Sequence, residues 1–135
     1  MSQTDPTGDF LTRIRNGLQA QHDAVEVPSS SLSKQIARIL KEQGYIESFE
    51  VKPPEPRHAG ERVRVGLRYT EDRKPVISGL RRVSRPGRRT YVDSRHIPKV
   101  QGGMGTTIIS TSQGVMTGHD ARRKGVGGEL VAEVW

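Results

Sequence analysis

The chain has 135 residues, of which 22 are lysine or arginine and 15 are aspartate or glutamate. Its net charge of +7 favours a polyanionic partner, and its hydrophobic content of 32% implies that much of the surface faces water or that partner. The absence of cysteine excludes a disulfide framework and a cysteine-ligated zinc site.

The first predicted element is an amphipathic helix after Asp5-Pro6. Asp5 is placed to cap the helix, and Pro6 suits its first turn. Four apolar side chains fall within about a quarter of the helical wheel and form the predicted buried stripe. They are Phe10, Leu11, Ile14 and Leu18.

A strand, a second helix and two further strands follow. The strand covers residues 25–28, and serines 29–31 supply caps for a helix that ends at Gly44. The buried stripe of this helix is predicted to be Leu32, Ile36, Ile39 and Leu40. Residues 45–51 and 63–69 alternate between apolar and polar side chains, as half-buried strands do.

The character of the chain changes at residues 71–75, where glycines become frequent and strands dominate. We therefore expect two domains, residues 1–72 and residues 73–135. The second domain should contain strands at 106–110 and 129–135, one or two helical turns at 96–101, and a short helix capped by Thr117 with Asp120. The predicted fold class is α+β: an N-terminal helix–strand–helix–strand–strand unit packed against a small, mainly antiparallel β unit.

The densest basic feature is a predicted loop that holds five arginines around Pro86-Gly87. Arginine forks pair with phosphate oxygens, so a turn could present several of them to one nucleic-acid backbone. The alternative is a solvated, self-repelling loop. The five are Arg81, Arg82, Arg85, Arg88 and Arg89.

The charge is unevenly distributed and favours the nucleic-acid interpretation of that loop. Residues 1–70 hold 10 basic and 9 acidic side chains, whereas residues 71–135 hold 12 and 6. The second half is therefore the better candidate for the main electrostatic contact. It also contains Arg122 and Lys124 on the predicted short helix, which we include among the nucleic-acid contacts.

A second feature, residues 110–114, runs from a strand into a turn. Its hydroxyls and amide can bond 2′-hydroxyls, base edges and phosphates, and a glycine lets the backbone approach a ligand closely. Ordinary turns have a similar composition, so this segment alone is weak evidence. Its residues are Ser110, Thr111, Ser112, Gln113 and Gly114.

Catalysis finds little support. The glycine clusters at 102–105 and 125–128 lack the Gly-Lys-Ser/Thr of a nucleotide-binding loop and are better explained as tight turns. The four histidines lie far apart without metal-ligand spacing, and no nucleophile-elbow pattern is present. We therefore expect no catalytic residues, no metal, no cofactor and no small-molecule substrate.

Targeting signals are also missing. The N-terminus lacks the pattern of a signal peptide, and no apolar run approaches the ~20 residues that span a bilayer. We expect a soluble, cytoplasmic protein with no membrane partner.

Several segments, in one order, closely resemble the eighth protein of the bacterial small ribosomal subunit. They are Asp5-Pro6 with Leu11-Thr12-Arg13-Ile14-Arg15-Asn16, residues 25–28, residues 78–87, residues 110–117, Ala121-Arg122, and residues 125–129. The match spans almost the entire chain with the expected spacings.

This resemblance implies a two-domain fold and a structural role in the small ribosomal subunit. It implies direct binding to a stem in the central domain of small-subunit (16S) rRNA, early in assembly, beside neighbouring ribosomal proteins. The C-terminal domain should contribute most contacts, with Ser110, Thr111, Ser112 and Gly114 against the RNA. Glu129 should help to hold that loop or meet a base edge, and Tyr91 should pack against the RNA or the Ser-rich loop. Secondary contacts in the N-terminal part are expected from Thr4, Asp5, Arg13, Arg15, Ser31 and Lys34.

The chain departs from the family pattern at residues 102–107, where Thr106 and Thr107 replace a more apolar stretch. We expect these threonines either to loosen the core or to face outward. Two alternatives to the ribosomal role stay open at this point. One is a DNA- or general RNA-binding module outside the ribosome, whose affinity would follow charge alone. The other is an enzyme acting on nucleic acid, which would need a metal or general base.

Overall fold

The computed structural model of the protein describes residues 5–135, which form two compact units. One unit comprises residues 6–77, and the other comprises Asp5 with residues 78–135. Each unit combines helix with an antiparallel sheet. The predicted α+β class is confirmed.

The 6–77 unit places two helices on a three-stranded antiparallel sheet of order β1-β3-β2. The elements follow one another along the chain as the sequence predicts. They are α1 Pro6–Gln19, β1 Ala24–Pro28, α2 Ser31–Glu42, β2 Ile46–Lys52 and β3 Arg62–Leu67.

Alternation along β3 shows how this unit buries its core. Val63, Val65 and Leu67 are buried, whereas Arg64 between them is exposed. The predicted stripe of α1 is buried in full. In α2 the stripe is buried except for Leu32, which is half-buried at the first turn. Removal of these side chains from water is the main stabilising contribution in such a layer.

The ends of α2 have the predicted chemistry. Ser30 is the N-cap: its hydroxyl accepts a hydrogen bond from the Ser33 backbone N–H at 3.0 Å, and the Ser33 hydroxyl accepts one from the Ser30 N–H at 2.8 Å. At the other end Gly44 has a φ of +80°, and the Tyr45 N–H donates to the Leu40 carbonyl at 2.8 Å. Serine therefore begins the helix and glycine ends it.

The 78–135 unit is built around one central strand. Its elements are β4 Leu80–Arg82, β5 Tyr91–Val92, a 3₁₀ turn Val100–Gly103, β6 Thr106–Thr111, β7 Gly114–Thr117, α3 Gly118–Lys124 and β8 Gly128–Val134. The sheet has the order β4-β8-β6-β7, and β5 also pairs with β8. Because β6 occupies one edge of β8, β4 and β5 share the other edge.

One part of the core of this unit lies on the sheet face that α3 covers. Ile109, Met116 and Leu130 of the sheet are buried together with Ala121 of α3 and Ile97. Thr117 caps α3 by accepting a hydrogen bond from the Asp120 backbone N–H at 3.1 Å. The cap thus follows the prediction made from Thr117 and Asp120.

Two local expectations are wrong, and one of two alternatives for Thr107 is excluded. Arg81 and Arg82 belong to strand β4, not to the arginine-rich loop, because their backbones pair with β8. The helical turn predicted at 96–101 begins only at Val100. Thr107 does not face outward: it is buried, and its hydroxyl donates to the Pro98 carbonyl at 3.0 Å, which satisfies the polar group inside the unit.

The last residue, Trp135, is held against Gly79. The Gly79 and Ser78 N–H groups donate to the Trp135 carbonyl, and the Trp135 N–H donates to the Gly79 carbonyl at 3.0 Å. A Cβ at position 79 would stand only 2.3 Å from Cζ2 of the indole. The ring therefore needs a glycine beneath it.

We expect Gly79→Ala to lower the free energy of unfolding by about 1–3 kcal/mol, because the indole must leave its position. Urea titration monitored by the emission of the one tryptophan measures both the stability and the ring's environment. Gly87→Ala is the matched control, since a Cβ there meets no atom within 4 Å. Equal stability and emission in the two variants would contradict the packing described.

Candidate nucleic-acid interface

The predicted Ser-rich segment forms the tip of the β6–β7 hairpin. Thr111 pairs with Gly114, and Ser112 and Gln113 span the two-residue turn between them. The Thr111 hydroxyl donates to the Gly114 carbonyl at 2.8 Å and accepts from the Gln113 backbone N–H at 3.0 Å. Gly114 has a φ of +111°, which glycine adopts readily. Thr111 and Gly114 therefore fix the turn itself.

Ser112 and Gln113 are presented to solvent by this arrangement. Both are exposed, and neither side chain has a hydrogen-bond partner among residues 5–135. Their hydroxyl and amide are thus available to a ligand. At this tip the two hydrogen bonds of the Thr111 hydroxyl supplement the strand pairing.

A glycine on β8 leaves room for the close approach of the hairpin. A Cβ at Gly128 would lie 2.1 Å from the Ser110 carbonyl oxygen, and one at Gly127 would lie 2.4 Å from that of Val92. The cluster 125–128, predicted as tight turns, therefore has two roles. Gly125 ends α3 with a φ of +69°, whereas Gly127 and Gly128 allow close backbone approach.

Tyr91, Glu129 and Ser110 form a row across the sheet. Glu129 of β8 is paired with Tyr91 of β5 on one side and with Ser110 of β6 on the other. Directly opposed residues of antiparallel strands project from the same face, so the three side chains share one. Tyr91 is 70% exposed, Ser110 is half-buried, and the Glu129 side chain is 23% exposed. The resemblance singled out these residues, and the sheet brings them together.

The remainder of the arginine-rich segment is a turn with Arg85 and Arg88 at its sides. The backbones of these two residues bond each other at 3.0 and 3.1 Å, with Pro86-Gly87 between them. Both side chains are exposed, and neither has a carboxylate within 4.0 Å in the part of the chain that the structure describes.

The other three arginines of the segment are paired. Arg82 is only 14% exposed, and its guanidinium donates to both oxygens of Asp5, at 2.9 and 3.3 Å. Arg89 donates to Glu129 at 3.0 Å, and Arg81 faces Glu133 at 3.5 Å while remaining 68% exposed. Their positive charges are thus partly compensated.

The short helix α3 adds basic side chains at its C-terminal end. Arg122 donates to the Ile97 carbonyl at 3.2 Å, which directs it along the unit's own surface. Lys124 is exposed and has no carboxylate within 4.0 Å among the described residues. Cations at this end also complement the helix dipole.

The candidates of the 6–77 unit lie on its two helices, where most are already engaged. Arg13 donates to Asp9 at 3.0 Å and to the Glu26 carbonyl at 3.1 Å. Arg15 is exposed, and the Ser31 hydroxyl accepts a hydrogen bond from the Gln35 amide at 2.9 Å.

Lys34 forms an ion pair with Glu61 at 2.8 Å. The pKa of Glu61 lies below its usual range because the Lys34 ammonium and the Ser29 hydroxyl both donate to it. Lys34 therefore presents less uncompensated charge than its position in the sequence suggests. Thr4, the remaining N-terminal candidate, lies outside the described residues.

Sequence reasoning missed one buried residue that is bonded to the candidate Glu129. Ser84 is completely buried, its hydroxyl donates to Glu129, and it accepts a hydrogen bond from the Thr90 backbone N–H at 3.2 Å. A single serine within a basic run carries no signal of burial, and only the register between β4, β5 and β8 reveals it.

Two kinds of feature are absent from the described residues, a metal-ligand cluster and a membrane-spanning helix. No group of three or more histidine, aspartate or glutamate side chains within residues 5–135 is arranged to hold a metal ion. None of the helices described is long and apolar enough to cross a membrane.

The fold and the site define a class: a small basic α+β protein with hydroxyl groups and arginines exposed at the end of a sheet. Comparison with known proteins identifies the family. A model of the Ribosomal protein S8 family matches residues 5–135, and the chain belongs to that family.

Curated relatives agree over the whole length. The chain is 51% identical to small ribosomal subunit protein uS8 of Acidobacterium capsulatum, 50% to that of Protochlamydia amoebophila and 49% to that of a Nocardioides species. Each match covers 135 residues, which is all of this chain and all of the relative.

The protein is therefore a structural component of the small ribosomal subunit, as the resemblance implied. Its relatives are ribosomal structural proteins, which confirms that the chain is not an enzyme.

The different environments of the arginines lead to a prediction about stability. Arg82→Ala should lower the free energy of unfolding by about 1–3 kcal/mol, because it leaves the half-buried Asp5 carboxylate without its guanidinium. Arg88→Ala should change it by less than ~0.5 kcal/mol, as exposed substitutions usually do. Chemical denaturation of both variants measures the difference. Similar losses in the two would contradict the division into structural and free arginines.

Proposed function

We propose that the protein binds directly to a stem in the central domain of 16S rRNA and supports assembly of the small subunit in the cytoplasm. The observation that carries this proposal is the exposed Ser112-Gln113 turn, which accompanies the exposed Tyr91 in the more basic unit. Residues 78–135 hold ten basic and four acidic side chains, whereas residues 6–77 hold twelve and ten. The 78–135 unit is thus the main RNA-binding domain in this proposal.

The chemistry of the turn suits a double-stranded RNA target. An A-form stem has a deep, narrow major groove, so proteins contact the shallow minor groove, where 2′-hydroxyls and base edges are displayed. The Ser112 hydroxyl can donate to and accept from a 2′-hydroxyl, and the Gln113 amide can do both at a base edge. A short rigid hairpin tip provides these groups without the bulk of an arginine.

Tyr91 supplies an aromatic surface in the same unit. With 70% of its area exposed, the ring can stack on a base that is not engaged in a regular helix. An irregular stem, with a bulge or unpaired base, therefore fits better than a perfect duplex. The neighbouring Glu129 carboxylate can accept a hydrogen bond from an exocyclic amine of such a base.

The arginines supply affinity in this proposal. Arg85 and Arg88 lack carboxylate partners among the described residues, so they can pair with phosphates. Arg81, Arg89, Arg122 and Lys124 add charge that is partly engaged within the unit or exposed at its edge. Phosphate contacts fix orientation, and the hydroxyl-bearing turn contributes selectivity.

The 6–77 unit contributes secondary contacts, to RNA or to neighbouring ribosomal proteins. Arg15 and Ser31 are exposed on its helices, and Arg13 and Lys34 keep part of their surface open despite their ion pairs. Exposed ion pairs are weak, so a phosphate can replace the carboxylate at small cost.

The proposal is tested by competition binding to purified small-subunit rRNA. Duplex DNA of equal length and an unrelated RNA hairpin serve as competitors at near-physiological salt. Retention on one central-domain stem against both competitors is the expected result. A generic nucleic-acid-binding module would instead be displaced equally well by both competitors, and that result would overturn the proposal.

Ser112→Ala should weaken binding to the cognate stem by about 1–3 kcal/mol, because it removes a free hydroxyl from the hairpin tip. Filter binding or isothermal calorimetry measures the change. Ser78→Ala, which removes an exposed serine hydroxyl elsewhere in the unit, is the matched control. Wild-type affinity in Ser112→Ala, with the fold intact, would contradict the role of the turn.

Arg88→Ala should weaken binding to all RNAs similarly and reduce the slope of log K against log salt by roughly 1, as loss of one phosphate contact does. Titrations at several salt concentrations measure the slope for the cognate stem and for a control hairpin. Arg57→Ala removes the same charge from an exposed loop of the 6–77 unit and should leave the slope unchanged. A loss confined to the cognate stem would show that Arg88 reads sequence or shape.

A further inference from the structure

Ser84 stands at the base of the arginine-rich turn. Its N–H donates to the Leu130 carbonyl at 3.0 Å, and the Leu130 N–H donates to the Thr90 carbonyl at 2.9 Å. The chain therefore leaves the edge of β8 after Ser84 and returns to the same residue at Thr90. Residues 85–89 form an excursion whose two ends meet opposite Leu130.

The Ser84 side chain links the two ends of this excursion by a hydrogen bond. Its hydroxyl oxygen accepts a hydrogen bond from the Thr90 N–H at 3.2 Å, which joins the two ends of the excursion directly. Its proton is donated to Oε2 of Glu129. The same carboxylate oxygen accepts a hydrogen bond from Nη1 of Arg89 at 3.0 Å.

Burial makes these bonds hard to replace. Ser84 is 0% exposed, so no water from solvent can take over from its hydroxyl. In its absence the Thr90 N–H loses its side-chain acceptor, and Arg89 is the one donor to the Glu129 carboxylate that remains among residues 5–135. A carboxylate with one long, flexible donor can take several orientations, whereas one fixed by a buried hydroxyl is confined.

Because Glu129 is the central member of the row, a change in the orientation of its carboxylate also affects the surroundings of the other two side chains. Tyr91 lies opposite Glu129 on β5 and Ser110 lies opposite it on β6. Thr90, whose N–H Ser84 holds, directly precedes Tyr91 in the chain. One hydroxyl thus acts on the base of the arginine turn, on the backbone leading into the exposed aromatic ring and on the central carboxylate.

We propose that Ser84 is a positioning residue for RNA recognition: it makes no contact with RNA and fixes Glu129 and the base of residues 85–89 in the orientation that a structured stem requires. This inference rests on the proposed function. Its effect should fall on selectivity and not on charge, because Ser84 carries no charge and its loss removes no phosphate contact.

Ser84→Ala is compared with wild type and with Ser78→Ala, at a temperature where circular dichroism shows all three fully folded. We expect affinity for the cognate central-domain stem to fall about tenfold, the scale of one lost buried hydrogen bond. Affinity for an unrelated hairpin and the salt slope should stay at wild-type values. A purely structural serine would lower the unfolding midpoint and leave this selectivity ratio unchanged.

A double-mutant cycle tests whether Ser84 acts through the carboxylate. If it does, Ser84→Ala in a Glu129→Gln background should cause a much smaller further loss of cognate affinity than in wild type. Additive losses would overturn the proposed route through Glu129. If Ser84→Ala folds poorly, Ser84→Cys under reducing conditions is the substitute variant. Its thiol has a similar volume and is a weaker donor, so it should also lose selectivity, but by less.

The outcomes separate this inference from the proposed function. Wild-type protein that shows no preference for the central-domain stem refutes the proposed function itself. A wild-type preference that persists undiminished in folded Ser84→Ala and Ser84→Cys refutes only the role of Ser84.

Discussion

Glu129 occupies the central strand of the 78–135 sheet, and one oxygen of its carboxylate accepts hydrogen bonds from both Ser84 and Arg89. Its side chain is only 23% exposed, so the charge requires these donors. Glu129 is paired with Tyr91 on one neighbouring strand and with Ser110 on the other. In the proposed function, the orientation of this row depends on that carboxylate being held in place, whereas Thr111 and Gly114 fix the hairpin tip.

The arginine count overstates the free charge of this surface. Of the five arginines between residues 81 and 89, three have carboxylate partners and two, Arg85 and Arg88, have none among the described residues. Arg82 is mainly structural, because it is nearly buried against Asp5. Net charge therefore accounts for attraction to a polyanion, whereas in the proposed function the groups exposed at the hairpin tip around Ser112 supply the preference for one RNA site.

Local sequence signals predicted much of the fold, because periodicity and capping are local properties. The stripe of α1, the alternation of β3 and the serine and glycine at the ends of α2 are examples. Long-range pairing was not predictable in this way: Arg81 and Arg82 appeared to lie in a loop, and only their register with β8 makes them a strand. The candidates Tyr91 and Glu129 came from family resemblance alone, and Ser110 came also from its hydroxyl-rich segment. The sheet shows that the three are adjacent. Ser84 escaped notice because nothing in its neighbourhood indicates burial.

The most direct test of this account is residue-resolved NMR of the labelled 15.0 kDa protein during titration with the central-domain stem. If the hairpin tip and the Tyr91 row contact the RNA, the strongest amide shifts should cluster at residues 110–114, at 85–91 and around Glu129, with weaker ones on α1 and α2. Shifts that instead follow exposed lysines and arginines over both units, without a maximum at the hairpin tip, would contradict it. Such a pattern would mean that charge alone holds the RNA.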